Sequence, residues 1–360
     1  MTAISTTAGI SNSLTAGRLP TWAPWALLGA SWGVFLIIFA FVQQATGGDY
    51  NAVAAIFLGT VAFDALLFAL AWLVEGVRQA RDRLVTALVA TAFIIALLPL
   101  VSLLSTVIAN GMARFDIDFF TMSMRNVVGA GGGGLHAITG TLLITGAAAL
   151  ISIPVGLLTS IYLVEYGRGP LAKAITFFVD VMTGIPSIVA GLFAFALFSL
   201  LFDDPGIRFG FGGSIALSLL MIPVVVRSSE EMLKIVPNEL REASYALGVP
   251  KWLTILKVVI PTALAGIATG VTLAISRVIG ETAPLLIIAG YTASMNYDLF
   301  SERMMSLPVF VYTQYANPGS DGQSYLDRAW TGALTLILIV MALNLIARLI
   351  AKIFSPKLGR

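Results

Sequence analysis

Apolar runs dominate this chain, and their lengths set its architecture before any motif is read. Windows of about 20 apolar residues, long enough to cross the hydrocarbon core of a bilayer, recur near residues 22–43, 52–74, 84–109, 137–163, 174–202, 212–228, 258–290 and 329–353. Each predicts a helix, because a backbone exposed to lipid has to satisfy its own hydrogen bonds. The sixth window is short and the seventh is overlong for a single crossing. The expected fold is therefore an all-α polytopic membrane protein of about eight transmembrane helices.

The basic residues between these windows fall unevenly. One set of alternate segments holds Arg18, then Arg78, Arg81 and Arg83, then Arg168 and Lys173, then Arg227, Lys234, Arg241, Lys251 and Lys257, and finally Arg348, Lys352, Lys357 and Arg360. The opposite set holds only Arg114, Arg125, Arg208, Arg303 and Arg328. By the positive-inside rule the richer set is cytoplasmic. Both termini are then expected in the cytoplasm, with residues 227–257 as the largest cytoplasmic segment. The first apolar window has Arg18 as its only preceding basic residue and no small-residue cleavage pattern after it, so it is read as retained.

Composition narrows the chemistry. The chain is 58% hydrophobic and only 11% charged, with mean hydropathy +0.92, against roughly 25% charged residues in a soluble domain. It has no cysteine, which excludes disulfides, thiol nucleophiles and cysteine metal sites. His136 is the single histidine, so a histidine metal cluster is excluded and a structural or solvated role is expected of it. A net charge of +2 gives no reason to expect nucleic acid. The run GAGGGG at 129–134 lacks the Lys-Ser/Thr ending of a phosphate loop and precedes a span rather than following a strand, so it reads as a flexible linker. No Gly-Lys dipeptide occurs anywhere. The chain is therefore expected to be no enzyme and to lack an ATPase motif of its own.

Three polar features stand out against this background. In SRVIGETAPLL, residues 276–286, Arg277 and Glu281 sit four apart inside an apolar window, and a continuous helix would place both on one face. An ionisable side chain near the bilayer centre costs about 2.5–3.5 kcal/mol on insertion scales, so such residues face a protein interior or a watery path. In the fifth window Thr176, Asp180, Thr183 or Gly184, and Ser187 recur at helical spacing beside Pro186, with helix packing one reading of the hydroxyls and a lining or gating role the reading for Asp180. Asp64, in the second window, has no evident partner. The glycines and alanines of 263–270 suit close helix packing.

The third feature is NELREASYALGVPKWLTILKVVIP, residues 238–261. Acids at Glu239 and Glu242 suit a helix start, Gly248 a helix end, and Pro250 prevents continuation. This predicts a helix of two to three turns, either lying under the headgroups or docking into another protein. The spacing of Glu242, Ala243, Gly248, Val258, Ile260 and Pro261 resembles the EAA loop of ABC-importer permeases, with Ser244 in place of the second alanine and Val258 and Ile260 in place of isoleucine and leucine. Within that family SRVIGETAPLL, together with GIPSIVAGLF at 184–193, resembles the phosphate-specific transport permeases of PstA type over about residues 84–360.

The resemblance implies a type I six-helix permease core at 84–360, with residues 1–83 as an N-terminal accessory transmembrane hairpin outside the family pattern. It implies a substrate path through Arg277, Glu281 and Asp180, and an ATPase-coupling surface at Glu242, Ala243, Ser244, Gly248 and Pro261. It also implies partners: a sibling permease of PstC type, a cytoplasmic ATPase dimer of PstB type carrying ATP and Mg, and an extracytoplasmic phosphate-binding protein of PstS type. The chain itself is expected to bind no cofactor and no metal. The function so implied is import of inorganic phosphate by alternating access. Two other classes remain: a permease or ion-coupled secondary carrier for another anion, and a membrane enzyme acting on lipid phosphate, for which no acid/base or metal constellation is seen.

Overall fold

A computed structural model describes residues 19–46, 50–319 and 321–354; Arg18, Lys357 and Arg360, used above in reading orientation, lie outside them. Every regular element of the described chain is a helix. In order it forms α1 (Ala23–Thr46), α2 (Ala52–Glu75), α3 (Val77–Gly111), α4 (Ile117–Thr121), α5 (Leu135–Ile161), α6 (Pro170–Thr183), α7 (Ser187–Phe202), α8 (Gly210–Ile235), α9 (Asn238–Ala246), α10 (Lys251–Thr254), α11 (Ile260–Val278), α12 (Ala283–Ile288), α13 (Leu307–Ala316) and α14 (Gly322–Phe354). Among the described residues seven helical stretches are long and apolar enough to cross a membrane, and α6 with α7 make an eighth if the bent pair is one span. The chain divides into two compact units, Met1–Leu104 and Ser105–Arg360, the division falling inside α3.

In the first unit α1 and α2 pair through small and aromatic residues. Gly59 abuts Trp32, whose indole donates to Thr60 Oγ1 at 3.0 Å. The charged sequence EGVRQARDR, 75–83, is almost wholly helical. Only Gly76, at φ +90°, separates α2 from α3, and Arg78, Arg81 and Arg83 lie within α3. Glycine suits that position because side-chain-bearing residues rarely adopt such a positive φ. Arg83 is drawn back onto the Glu75 carboxylate at 2.5 and 2.7 Å. Asp64 is buried on α2 with Oδ1 lacking a hydrogen-bond partner.

The second unit is built around α5 and α8. Positions 136, 140, 144, 148, 152, 156 and 160 of α5 are all buried. They recur every fourth residue, and most are small, so α8 can approach closely. Ser214 and Ser218 of α8 donate to the carbonyls of Ile144 and Ala148 at 3.0 and 3.4 Å. α11 packs on α8 through Gly266 against Met232 and Gly270 against Ser228, the close packing expected of 263–270. α14 reaches α11 through Asn344 Nδ2, which donates to Ser276 Oγ at 3.1 Å.

A Cβ on Gly140 would lie 2.0 Å from the Met305 carbonyl oxygen, whereas one on Gly146 of the same helix would meet nothing within 4 Å. Gly140→Val is therefore expected to cost at least about 3 kcal/mol in backbone displacement, and Gly146→Ala next to nothing. Recovery of monodisperse solubilised protein checks this, and equal recovery of both variants would contradict the packing argument.

Three expected spans are corrected. The fifth is not a continuous helix: α6 and α7 meet at 108° across Gly184-Ile185-Pro186. Pro186 has no N–H to continue α6 and turns its neighbour Ile185 out of helical geometry. The seventh is broken between Val278 and Ala283, before Pro284, which explains its excess length. The sixth is longer than its apolar window, because α8 runs 26 residues and carries charged residues in its last turns. The Gly-rich run is also no free linker. Gly133 sits against the carbonyls of Asp118 and Phe119, and the carbonyls of Gly129 and Gly131 accept from the fully buried Arg328 at 2.7 and 2.9 Å. The glycines admit the backbone to this close contact, a role that periodicity cannot distinguish from flexibility.

Candidate functional site

The first candidate feature is the pair of helix breaks. Gly191 of α7 lies against Pro284 of α12, where an added Cβ would come within 2.5 Å of Pro284 Cα. The two apolar motifs GIPSIVAGLF and ETAPLL are thus packed on each other, although some 90 residues separate them. Discontinuous helices of this kind free backbone groups inside the membrane without exposing them to lipid.

Arg277 occupies the last turn of α11, and Glu281 lies beyond its end, the Glu281 N–H closing a turn onto the Val278 carbonyl at 3.1 Å. The expected common helical face is therefore absent: the helix stops before Glu281. Among the described residues no ion pair joins the two, and the exposed Arg277 guanidinium has no side-chain partner.

Asp180 is held by an arginine of another helix. It pairs with Arg227 of α8, which also contacts Glu230 at 2.8 Å, and Glu230 in turn holds Lys234 at 2.7 Å. This chain of alternating charge ties α6 to the end of α8. The expected polar face of the fifth window is cut short: Thr176, Asp180 and Thr183 lie on α6, and the bend separates Ser187 from them. Thr183 turns its hydroxyl back onto the Val179 carbonyl. The sequence signal for the network was available in Arg227, Glu230 and Lys234, spaced three and four apart on one helix face.

The second feature is α9. Nine residues long, it forms where predicted, and Gly248 at φ +77° ends it with its N–H on Tyr245 O at 2.9 Å. A Cβ on Gly248 would meet nothing within 4 Å, so the backbone conformation and not space demands glycine. Ser244 is the one buried residue of α9, and its hydroxyl meets Thr254 Oγ1 at 2.8 Å. The serine that departs from the EAA pattern thus adds a bond that alanine cannot make. Glu242 and Ala243 are exposed, as are Leu240, Tyr245 and Leu247. A short polar helix bearing exposed large apolar residues resembles an unoccupied contact face.

Residues outside the expected set fix α9 in place. Arg241 contacts the Glu165 carboxylate at 2.9 and 3.0 Å, with both side chains largely buried, and donates to the carbonyls of Val236 and Leu233 at 2.6 and 3.0 Å. Lys251 donates to the Glu165 carbonyl and lies over the Tyr166 ring. Glu165 belongs to a widened π-type turn, Tyr162–Tyr166, continuing α5. A second such turn, Ile255–Val259, precedes Pro261, whose missing N–H removes one backbone bond and whose ring displaces the preceding turn. Pro261 therefore shapes the helix behind α9 and is not itself a contact of α9.

The assembly of broken spans, a central small-residue seam and a short helix on one face defines the class as the transmembrane subunit of an ABC importer. The membrane chain of a bacterial alginate ABC transporter, solved with an alginate-bound periplasmic protein, has the same fold, with a TM-score of 0.54 at 15% identity over 78% of this chain and 97% of that one. Residues 152–360 match the family described as binding-protein-dependent transport system inner membrane component. The phosphate transport system permease protein PstA 1 of Mycobacterium tuberculosis is 49% identical over 278 residues, covering 76% of this chain and 89% of that protein. PstA of Haemophilus influenzae is 39% identical over 273 residues, covering 76% and 94%. The chain belongs to the PstA-type permeases of this inner-membrane transport family.

Proposed function

We propose that this chain is the phosphate-translocating permease of an ATP-driven importer, working by alternating access beside a sibling PstC-type permease. The observation that carries the coupling half of the reading is α9: a helix outside the spans, anchored through the half-buried Arg241 and the buried Ser244, with Glu242, Ala243, Leu240 and Leu247 turned outward. It presents its outer face to a cytoplasmic PstB-type ATPase, which binds the ATP and Mg. A PstS-type binding protein delivers phosphate from the opposite side, and both termini lie in the cytoplasm.

Arg277 supplies the anion-facing charge. Its guanidinium is permanently charged, offers paired donors that match phosphate, and is not neutralised by Glu281. Asp180, held by Arg227, lines the same path from α6, and Glu281 sits at the α11 break. Selection of phosphate over other oxyanions follows from relatives named for phosphate, which disfavours an ion-coupled carrier for another anion.

Co-expression with a second permease and the ATPase tests the reading. Stoichiometric recovery of the ATPase and ATP-dependent phosphate uptake in vesicles are expected, while uptake by this chain alone would contradict it. In the same assay Glu242→Lys and Gly248→Asp are expected to leave insertion intact and lower ATPase recovery at least fivefold, because charge is placed on a close-packed contact. Normal coupling in both variants returns α9 to an interfacial role.

Residues 1–83 form, on this reading, an accessory hairpin that the transport chemistry does not need. A chain starting near residue 84 is expected to express less well yet to import phosphate at a rate within about threefold of the full chain per assembled complex. Assembly without uptake would implicate the hairpin, with the buried Asp64 as the residue to vary first.

A further inference from the structure

At the end of α8 away from α9, about 39 Å along a 26-residue helix, lies a cavity of about 740 Å³. Its charged lining comes from two loops, with Asp204 and Arg208 on one and Glu302 and Arg303 on the other. The aliphatic stems of Arg208 and Arg303 both lean over Gly290, and a Cβ there would stand 3.0 Å from Arg208 Cδ and 3.3 Å from Arg303 Cδ. Gly290 also has φ +78°, so this position demands glycine for conformation and for space.

The backbone beneath is pinned. Phe209 N–H donates to Ile288 O at 2.9 Å, Phe211 N–H to Leu299 O at 2.6 Å and Met304 N–H to Ala289 O at 3.1 Å. Two cationic stems are therefore converged by fixed loops and not by chance mobility. Glu302, which lines the cavity, has a positive φ of 56°, and Asp203, between the lining residues Phe202 and Asp204 in sequence, has one of 52°. Backbone strain of this kind costs about 1–3 kcal/mol and persists where the surroundings enforce it, often at binding sites.

Although two carboxylates share the cavity, neither arginine makes an ion pair or a side-chain hydrogen bond among the described residues. Asp204 is committed to the Gly206 N–H at 2.8 Å. Phe202, Phe209 and Phe300 supply apolar walls, which lower the local dielectric and strengthen the field of the two guanidinium groups. Thr292 and Tyr291 add hydroxyls. Burial pushes the Tyr291 phenol above its ordinary value, so it stays a donor at neutral pH.

We propose that this cavity is a second oxyanion site, in which Arg208 and Arg303 together receive a tetrahedral anion of the inorganic phosphate class. The anion accepts from both guanidinium groups, and Glu302 weakens binding by repulsion. The proposal rests on the phosphate reading only for the choice of anion, and Arg277 is not among the residues lining the cavity.

Equilibrium dialysis of radiolabelled inorganic phosphate against the full chain in nanodiscs, at low ionic strength, tests it. Saturable binding is expected, weakened at least about tenfold by Arg208→Gln or Arg303→Gln, the loss of a charge-assisted bond. The Lys substitutions, which keep charge without the planar fork, fall between. Glu302→Gln, which cannot weaken an anion site by losing a negative charge, is expected to tighten binding. Arg125→Gln, outside the cavity lining, is expected to leave it unchanged. Absence of saturable binding, or equal binding by the Arg208→Gln, Arg303→Gln double variant, would overturn the site. Loss of binding in Arg277→Gln alone would also overturn it, yet would support the phosphate reading. If the arginine variants lose only capture of the extracytoplasmic binding protein, the cavity is a protein contact and the oxyanion assignment fails.

Discussion

Arg277→Gln is expected to reduce phosphate uptake at least a hundredfold while the chain still assembles with its partners, and adding Glu281→Gln is expected to restore nothing. The geometry motivates both halves. Were Arg277 and Glu281 a buried pair, deleting one would strand a charge and deleting both would relieve it. The helix ends at Val278, so Glu281 leaves the face that Arg277 occupies, and no ion pair joins them. A guanidinium without an internal partner has its charge available to an external anion. Arg277→Lys keeps the charge and loses the fork, so a small fraction of uptake should remain. Radiolabelled phosphate uptake normalised to assembled complex decides the matter. Near-normal uptake in the double variant would show that Arg277 does no more than balance Glu281.

The apolar windows made the number and helical nature of the spans legible, because lipid leaves a backbone few choices. Breaks were not legible from apolarity, since α6 and α7 are as apolar as one bent element as they would be straight. Pro186 and Pro284 were the available signals, and a proline in a membrane helix can kink it or end it depending on its neighbours. The α9 helix was readable residue by residue from Glu239 to Gly248, because its start and stop signals are local. Its anchoring was not. Glu165 stands 76 positions before Arg241, and a distant pairing leaves no periodic trace. The same limit explains Asp180, whose partner Arg227 stands 47 positions further on. It also explains the Gly-rich run, which reads as flexible alone and as a cradle only once Arg328 is placed against it.

Such distant pairings give the second large effect. Arg241→Met is expected to abolish coupling between ATP hydrolysis and uptake, while Glu165→Gln lowers it less. Breaking a buried ion pair from one side costs about 3–5 kcal/mol because the remaining charge is stranded. The two losses are not symmetric here. Arg241 also satisfies the Leu233 and Val236 carbonyls at the end of α8, which helix geometry leaves without internal partners. Its removal therefore frees the helix end as well as α9, whereas Glu165→Gln keeps an acceptor for the guanidinium. The neutral double variant Glu165→Gln, Arg241→Met should recover part of the coupling lost in Arg241→Met, since no carboxylate is then left buried alone, but not all of it, since the carbonyls stay bare. Hydrogen exchange across residues 238–246 reports the anchoring directly, and ATPase activity per phosphate imported reports the coupling. Unchanged exchange in Arg241→Met would mean that Ser244 and Lys251 hold α9 without the ion pair, and the proposed part of that pair in coupling would fail.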